Sequence, residues 1–492
     1  MAADTARSPL AAVPPSAVDG APSAAELART YAERSGRDLD RLLFWTALFY
    51  WKPAIIIKGI FRRWRENPAN GGPAPARSFP APTRWRGSPS RHSKTNDKGA
   101  TRMSATPTLS PQPTFDLDDD HRSFQEVCRT FVARECIPRV KAAEEAGTFP
   151  PELWPAMAAA GLLGLGHPED YGGSGGGVLA LTILSEELAH SSGGLAITPL
   201  VSSYMAGPHL ARYGNEAQKE RWLRPLLAGE CVAAIAVTEP GAGSDVAGLA
   251  ATATEVEGGY RLRGTKMFIT NAGLADVIIV AAKIDPADGH RGITTFLVER
   301  DAAGMSLSPP LKKLGWHASD TREVVFDDCF VAADQILGEA GRGFHQIMEA
   351  FQVERISLAA MAVGLAQTAL DDAVAHAKER RTFGVTLSKH QTIRHRLAAA
   401  SAELEGARTL TYQAAARWDD GHPEAATTTA MAKLVAPQVA SRVVDEALQI
   451  FGGYGFIEET PVAMHFRDAR ILRIGGGTDE VQLEIIAKRM GL

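Results

Sequence analysis

Ala236-Val237-Thr238-Glu239-Pro240-Gly241-Ala242-Gly243-Ser244-Asp245 is the stretch on which the reading of this chain turns. Before it, Cys231 to Val237 is short and apolar, the pattern of a buried strand. Glu239-Pro240 ends that strand, because proline brings no N–H to a ladder. Gly241 and Gly243 are expected to let the backbone turn tightly and admit a ligand closely. Thr238, Ser244 and Asp245 add polar groups where the strand runs out. Such a turn suits a flat, polar cofactor. It also suits an ordinary connection, and ten residues alone do not separate the two.

Further motifs follow in order: Gly264-Thr265-Lys266-Met267-Phe268-Ile269-Thr270-Asn271, Arg380-Arg381-Thr382-Phe383-Gly384, Gln391, Gln449-Ile450-Phe451-Gly452-Gly453 and Gly477-Thr478. Together with the first stretch they resemble the acyl-CoA dehydrogenase family from roughly Phe115 to Leu492. The resemblance implies an α+β multidomain fold: an N-terminal α-helical domain, a middle β-sandwich or barrel, and a C-terminal four-helix bundle. It also implies FAD as cofactor, an acyl-CoA substrate and an electron-transfer flavoprotein as partner. A homotetramer built as a dimer of dimers is expected on the same ground.

The residue patterns agree with an α–β–α order, placed at 114–230, 231–336 and 337–492. Helical spacing predicts helices over Asp119 to Glu145, Val178 to His190 and Thr198 to Arg212. Thr252 to Glu257 and Tyr260 to Gly264 alternate about Gly258-Gly259, a hairpin signal. Phe344 to Arg381 reads as one long helix or two, followed by helices over Lys389 to Trp418, Glu424 to Phe451 and Val481 to Met490. Short connections between them imply an antiparallel bundle.

Desaturating an acyl-CoA needs a base for the α-proton, a hydride acceptor, and donors that polarise the thioester carbonyl. In many members of the resembled family the base is a Glu just before the Gly-Thr of the last motif. Here Ile474-Gly475-Gly476-Gly477-Thr478-Asp479-Glu480 has Gly476 in that place, with its N–H still available to a carbonyl. The isovaleryl- and long-chain-type members carry the base on the helix before the Arg-x-x-Phe-Gly motif. That position is Glu354, within Phe351-Gln352-Val353-Glu354-Arg355-Ile356. A glutamate on a helix is usually a solvated one, but apolar Phe351, Val353 and Ile356 flank this one. Asp479 and Glu480 are the competing carboxylates, read here as helix-start acids.

The resemblance also assigns the other sites. Val237, Thr238, Phe268, Ile269 and Thr270 would meet the flavin ring, and Gly243 and Ser244 the pyrophosphate and the CoA. Arg380, Phe383, Gln391, Gln449 and Gly453 would reach the adenosine half of a FAD held by a neighbouring subunit, and Thr478 would also touch cofactor. Phe351, Arg355, Gly476 and Gly477 would face substrate. Small residues Ala196, Ser202, Ser203 and Ala206 would line the floor of the acyl pocket.

Composition sets the outer bounds. The 492 residues are 45% hydrophobic and 22% charged, as in a globular protein. Residues 1–102 hold 17 Lys and Arg against 8 Asp and Glu; the rest holds 35 against 49. Four of the eight tryptophans also lie in that first part. Residues 1–24 are expected to be disordered, 25–66 short and helical, and 67–113 a disordered linker. Tyr31 to Leu39, with Phe44-Trp45 and Ile55 to Ile60, resembles the C-terminal end of aminoglycoside-phosphotransferase-like kinases, without that family's catalytic motifs. Lys52-Pro53 and Lys58 interrupt the apolar stretch Leu42 to Phe61, which argues against a transmembrane segment. Cys128, Cys136, Cys231 and Cys329 have no metal-ligand spacing, so no metal is expected and the thiols read as reduced, in a cytoplasmic protein. The rival readings are an acyl-CoA oxidase and a non-catalytic docking or assembly protein.

Overall fold

The computed structural model describes residues 117–492. The expectations for 1–24, 25–66 and 67–113, the kinase-like resemblance among them, lie outside the described residues.

The first region is helical: α1 (Asp119–Phe131), α2 (Val140–Ala146), α3 (Leu153–Ala159), α4 (Gly177–Ala189), α5 (Gly193–Pro199), α6 (Gly207–Tyr213), α7 (Glu216–Gln218) and α8 (Arg224–Leu227). Two expected helices are interrupted. Asp119 to Glu145 breaks into a π-turn at Val132–Cys136 and a 3-10 turn at Ile137–Arg139, where Pro138 removes a helical N–H. Thr198 to Arg212 is divided by a π-helical stretch, Leu200–Ala206, that follows Pro199.

Nine strands follow among the described residues. The first seven make one curled sheet: β1 (Ala233–Ala236), β2 (Thr252–Val256), β3 (Gly259–Thr270), β4 (Val277–Lys283), β5 (Ile293–Glu299), β6 (Met305–Leu307) and β7 (Thr321–Ala332). β4 carries parallel β1 on one edge and antiparallel β5 on the other. Its end meets β2 at Lys283 and Thr252, where the sheet turns into the β2–β3–β7–β6 half. The expected hairpin is there, with Glu255 paired to Tyr260 and Gly258 at positive φ. Phe296, Val324, Ile269 and Leu262 fill the concavity.

The C-terminal region contains α9 (Gly343–Glu379), α10 (Gln391–Asp419), α11 (Ala425–Phe451), α12 (Pro461–Ala469) and α13 (Asp479–Arg489). A two-stranded hairpin, β8 (Arg381–Thr382) with β9 (Val385–Thr386), lies between α9 and α10. α9 is one helix of 37 residues rather than two. It is apolar and long, but mostly buried inside the protein. Its core side is rich in alanine, at 359, 360, 362, 366, 369, 373 and 377. Small residues let it pack closely against α4, α10 and α11. At Gly364 the approach to α4 is so tight that a Cβ would stand 2.2 Å from the Glu186 carbonyl. Buried Arg408 on α10 ties the same helices together, donating to Glu186 at 2.9 Å and to Gln367 at 2.8 Å.

The helix α12 was not expected from sequence. Its Asp468 is buried and accepts the N–H of Gly193 at 2.9 Å and of Trp316 at 2.6 Å. Burial, with Glu144 nearby, lifts that carboxyl to about 7. It thereby joins the start of α5 to the β6–β7 connection.

Candidate active site

β1 ends at Ala236, and the chain then folds back on itself. Glu239 and Ala242 exchange backbone hydrogen bonds at 2.9 and 3.2 Å, closing the turn. The Glu239 carboxylate is buried. It accepts Lys266 Nζ at 2.7 Å and the N–H groups of Ala250 and Ala251 at 2.6 and 3.0 Å. Lys266, fully buried on β3, also donates to Val237 O. Met267 N–H donates to Thr238 O at 2.8 Å, fastening the turn to β3.

The glycines act differently from expectation. Neither Gly241 nor Gly243 has a positive φ, and a Cβ on either would meet open space. They are therefore not needed for the turn; they leave the loop surface bare. Gly243 and Ser244 are exposed beside them. On β3 a bulge between Lys266 and Ile269 puts Phe268 at φ 60° and throws its ring outward, 65% exposed. Ile269 points into the core, while Thr270, paired with Thr321, stays partly accessible. An exposed aromatic on a strained bulge, beside a bare loop and two threonines, fits a flat ring system.

Val237 and Ala242 pack with Ile347 of α9, and Phe351 lies against the same cluster. One turn further on α9 come Glu354, Arg355 and Leu358, at helical spacings of three, four and seven from Phe351. They meet the segment before α13. A Cβ built on Gly476 would lie 2.6 Å from Leu358 Cδ1, 3.4 Å from Glu354 Oε1 and 3.4 Å from Lys433 Cε. Thus Glu354 and the position vacated by glycine converge on one point. Desolvation, opposed by Arg355 and then Lys433, lifts the Glu354 carboxyl to about 7.

Gly476 and Gly477 have φ of 68° and 92°. Gly476 O accepts Arg355 Nε at 3.1 Å, and Gly477 O accepts Gln482 Nε2 at 3.1 Å and Lys433 Nζ at 3.3 Å. Both peptides are trans, so the N–H groups of Gly477 and Thr478 face the opposite way from those carbonyls. The Gly476 N–H has no acceptor among the described residues. Arg355 is itself buried, with its guanidinium 5.9 Å from the Phe351 ring centroid. Its immediate partner is therefore the glycine loop.

The competing acids have other work. Thr478 caps α13, its Oγ1 accepting Val481 N–H at 3.4 Å. Asp479 is buried and pairs with Arg473 at 2.6 and 2.8 Å. Glu480 is exposed, its carboxyl held below the usual range by its own backbone N–H and the Thr478 hydroxyl.

A second set of predicted residues lies at the far end of α9. Arg380 and Gly453 line one groove of about 490 Å³ with His376, Phe451 and Tyr454. The Arg380 guanidinium is 5.7 Å from the Tyr454 ring centroid, and His376 stacks on Phe451 at 4.3 Å. Gln391 and Gln449 are exposed, and Phe383, at φ 49°, is 98% exposed.

The small residues proposed as a pocket floor are all buried. Ala196 packs in the main helical core and Ala206 in the core between helices and sheet. Ser202 Oγ accepts Ala233 N–H at 3.0 Å, and Ser203 is fully buried. Sequence reasoning also missed two buried cations, Lys266 and Lys433. For Lys433 a signal existed: it is the lone charged residue between Glu424 and Arg442. Among the described residues no group of three or more His, Cys, Asp or Glu is placed to hold a metal.

Comparison with known proteins bears on this arrangement. The chain matches the family profiles of acyl-CoA dehydrogenase N-terminal domain at 118–230, middle domain at 234–329 and C-terminal domain at 341–491. It is 42% identical over 375 residues to a short-chain specific acyl-CoA dehydrogenase of Megasphaera elsdenii, covering 75% of this chain and 98% of that protein. Its fold is similar to the solved butyryl-CoA dehydrogenase of Megasphaera elsdenii, with TM-score 0.74, 40% identity, and coverage of 77% of this chain and 100% of the other. It is likewise similar to a FAD complex of PigA, with TM-score 0.74, 31% identity, and coverage of 77% and 99%. The fold and site define a flavin-dependent oxidoreductase acting on CH–CH groups, with FAD as its cofactor. The chain belongs to the acyl-CoA dehydrogenase family.

Proposed function

We propose that this enzyme removes the α-proton and β-hydride of an acyl-CoA to give a trans-2-enoyl-CoA, with Glu354 as the base. The observation that carries this reading is the convergence at Gly476: the carboxylate from α9 ends 3.4 Å from where a side chain on the loop would begin. Two ways of supplying one carboxylate thus reach the same space, and this chain fills it from α9.

Bound FAD supplies the acceptor for the β-hydride. Val237, Thr238, Phe268, Ile269 and Thr270 form the surface that holds its ring, and Gly243 and Ser244 the surface beside the pyrophosphate and the CoA. Thr478 lies at the cofactor edge of the α13 cap. Glu354 takes the α-proton as the Cα–H bond breaks and its electrons form the new C=C. The N–H groups of Gly476 and Gly477 draw the thioester carbonyl, which acidifies that proton. Phe351 and Leu358 cover the reaction from water, and Arg355 holds the loop in register. Arg380, Phe383, Gln391, Gln449 and Gly453 serve a FAD in an adjoining subunit of a homotetramer. The two electrons leave to an electron-transfer flavoprotein.

Anaerobic addition of butyryl-CoA, then of longer and branched acyl-CoAs, should bleach the flavin absorbance with at least one of them. Reoxidation should be fast with an electron-transfer flavoprotein and slow with oxygen alone. Absence of bleaching across the whole panel would contradict the activity. Rapid oxygen consumption without an added acceptor would make the enzyme an oxidase.

A further inference from the structure

Lys433 on α11 is fully buried, and neither of its hydrogen-bond acceptors is charged. Its Nζ donates to Leu472 O at 2.7 Å and to Gly477 O at 3.3 Å. Its Cε and Glu354 Oε1 lie equally close, at 3.4 Å, to the point where a Gly476 Cβ would stand. A buried ammonium costs several kcal/mol unless opposite charge is near. Two carboxylates face it, Asp479 on α13 and Glu354 on α9. Asp479 is already engaged by Arg473 and by Gln438. Glu354 has no hydrogen-bond or ion-pair partner among the described residues, and the cations facing it are Arg355 on its own helix and Lys433 across from it.

We propose that Lys433 is a positioning residue for the desaturation: it holds the Gly477 carbonyl inward and sets the electrostatic field at the Glu354 carboxylate. The inference rests on Glu354 being the base. Because the peptide is trans, fixing the Gly477 carbonyl fixes the Thr478 N–H on the opposite side, and with it the mouth of the loop. The charge has a separate effect. Burial raises the Glu354 carboxyl to about 7, while Arg355 and Lys433 restrain the rise. Burial lowers Lys433 to about 8, against Asp479 and Glu354 and with a small contribution from Arg355. Each of the two groups thus favours the charged form of the other.

The test uses the full-length, FAD-loaded enzyme with Lys433→Gln and Lys433→Met. Glutamine keeps an N–H donor for the loop carbonyls without charge; methionine keeps neither. Anaerobic flavin reduction by butyryl-CoA, or by the best substrate of the panel, is followed against pH. Both variants should move the acid limb of the apparent second-order rate upward by about one pH unit. The limiting rate should fall further in Lys433→Met than in Lys433→Gln. A carboxyl infrared band that Glu354→Gln lacks reports the titration of that group without turnover, and it should shift upward in both variants. An unmoved band in a folded, FAD-loaded variant overturns the proposal while leaving the base assignment intact. A band that moves, together with near wild-type flavin reduction in Glu354→Gln, overturns the base assignment and the catalytic role of Lys433 with it. If Lys433→Met does not fold, Lys433→Gln alone decides between these results.

Discussion

Glu354 stores a cost that can be read without substrate. Folding raises its carboxyl from 4.5 to about 7, first through desolvation, against Arg355 and Lys433. The native state then binds that proton more tightly than the unfolded chain does. The resulting stability is full below the unfolded value and is lost as pH rises through about 7. At about 1.4 kcal/mol per unit, the loss is up to ~3 kcal/mol. Glu354→Gln resembles the protonated form at every pH. It should therefore unfold at a higher temperature than wild type at pH ~8, with the difference vanishing near pH ~4. An equal difference at both pH values would show that the carboxyl is solvated. Gly476 makes the complementary point. Any side chain there meets Leu358 and adopts φ 68°. Gly476→Ala should cost about 1–3 kcal/mol, measurable by denaturant midpoint. Moving the carboxylate to this position through Glu354→Gly with Gly476→Glu thus demands that Leu358 yield as well.

Two glycines in long helices should respond oppositely to the same change. Gly406 on α10 is exposed and a Cβ there meets nothing within 4 Å. Gly406→Ala should stabilise by about 0.5–1 kcal/mol, the ordinary helix-interior gain. Gly364→Ala should instead destabilise by about 1–3 kcal/mol, since its Cβ would press on the Glu186 carbonyl at 2.2 Å. Equal effects in paired unfolding curves would refute the close contact of α9 and α4. The helices α9, α10 and α11 were legible because their apolar periodicity runs for 27 residues or more. The hairpin at Gly258-Gly259 was legible from its turn chemistry. The nine residues of α12 gave too short a pattern, and the π-stretches at Val132 and Leu200 follow from packing that periodicity does not encode. At the candidate site, the motifs and their order led to Thr238, Phe268 and Glu354 as proposals. Lys266 escaped notice because its partner Glu239 lies 27 residues away and comes near only when β3 crosses the loop. For the same reason the bond from Arg355, a proposed substrate contact, to a carbonyl 121 residues distant was not anticipated.

At the scale of the molecule, the flavin surface and the Arg380 groove lie toward opposite ends of α9. Phe351 packs near the start of that helix, and Arg380 caps its end. A helix of 37 residues rises about 55 Å, so one cofactor in one subunit does not readily use both. Arg380→Ala should consequently lower FAD retention on dialysis, read as the flavin-to-protein absorbance ratio, while FAD-saturated enzyme keeps its rate of flavin reduction. Full retention with lost turnover would mean that Arg380 has a different job. The fold described from residue 117 and the family match from 118 also predict that a chain beginning at Met103 retains FAD content and turnover. A large loss in either would make the preceding residues part of the core. The measurement that bears most directly on the whole account is anaerobic flavin reduction by the best acyl-CoA substrate in Glu354→Gln. The variant should bind FAD and a product-like thioester as wild type does, yet reduce its flavin about 10²–10⁴-fold more slowly. Reduction at close to the wild-type rate would contradict the account and turn attention to Asp479 or Glu480.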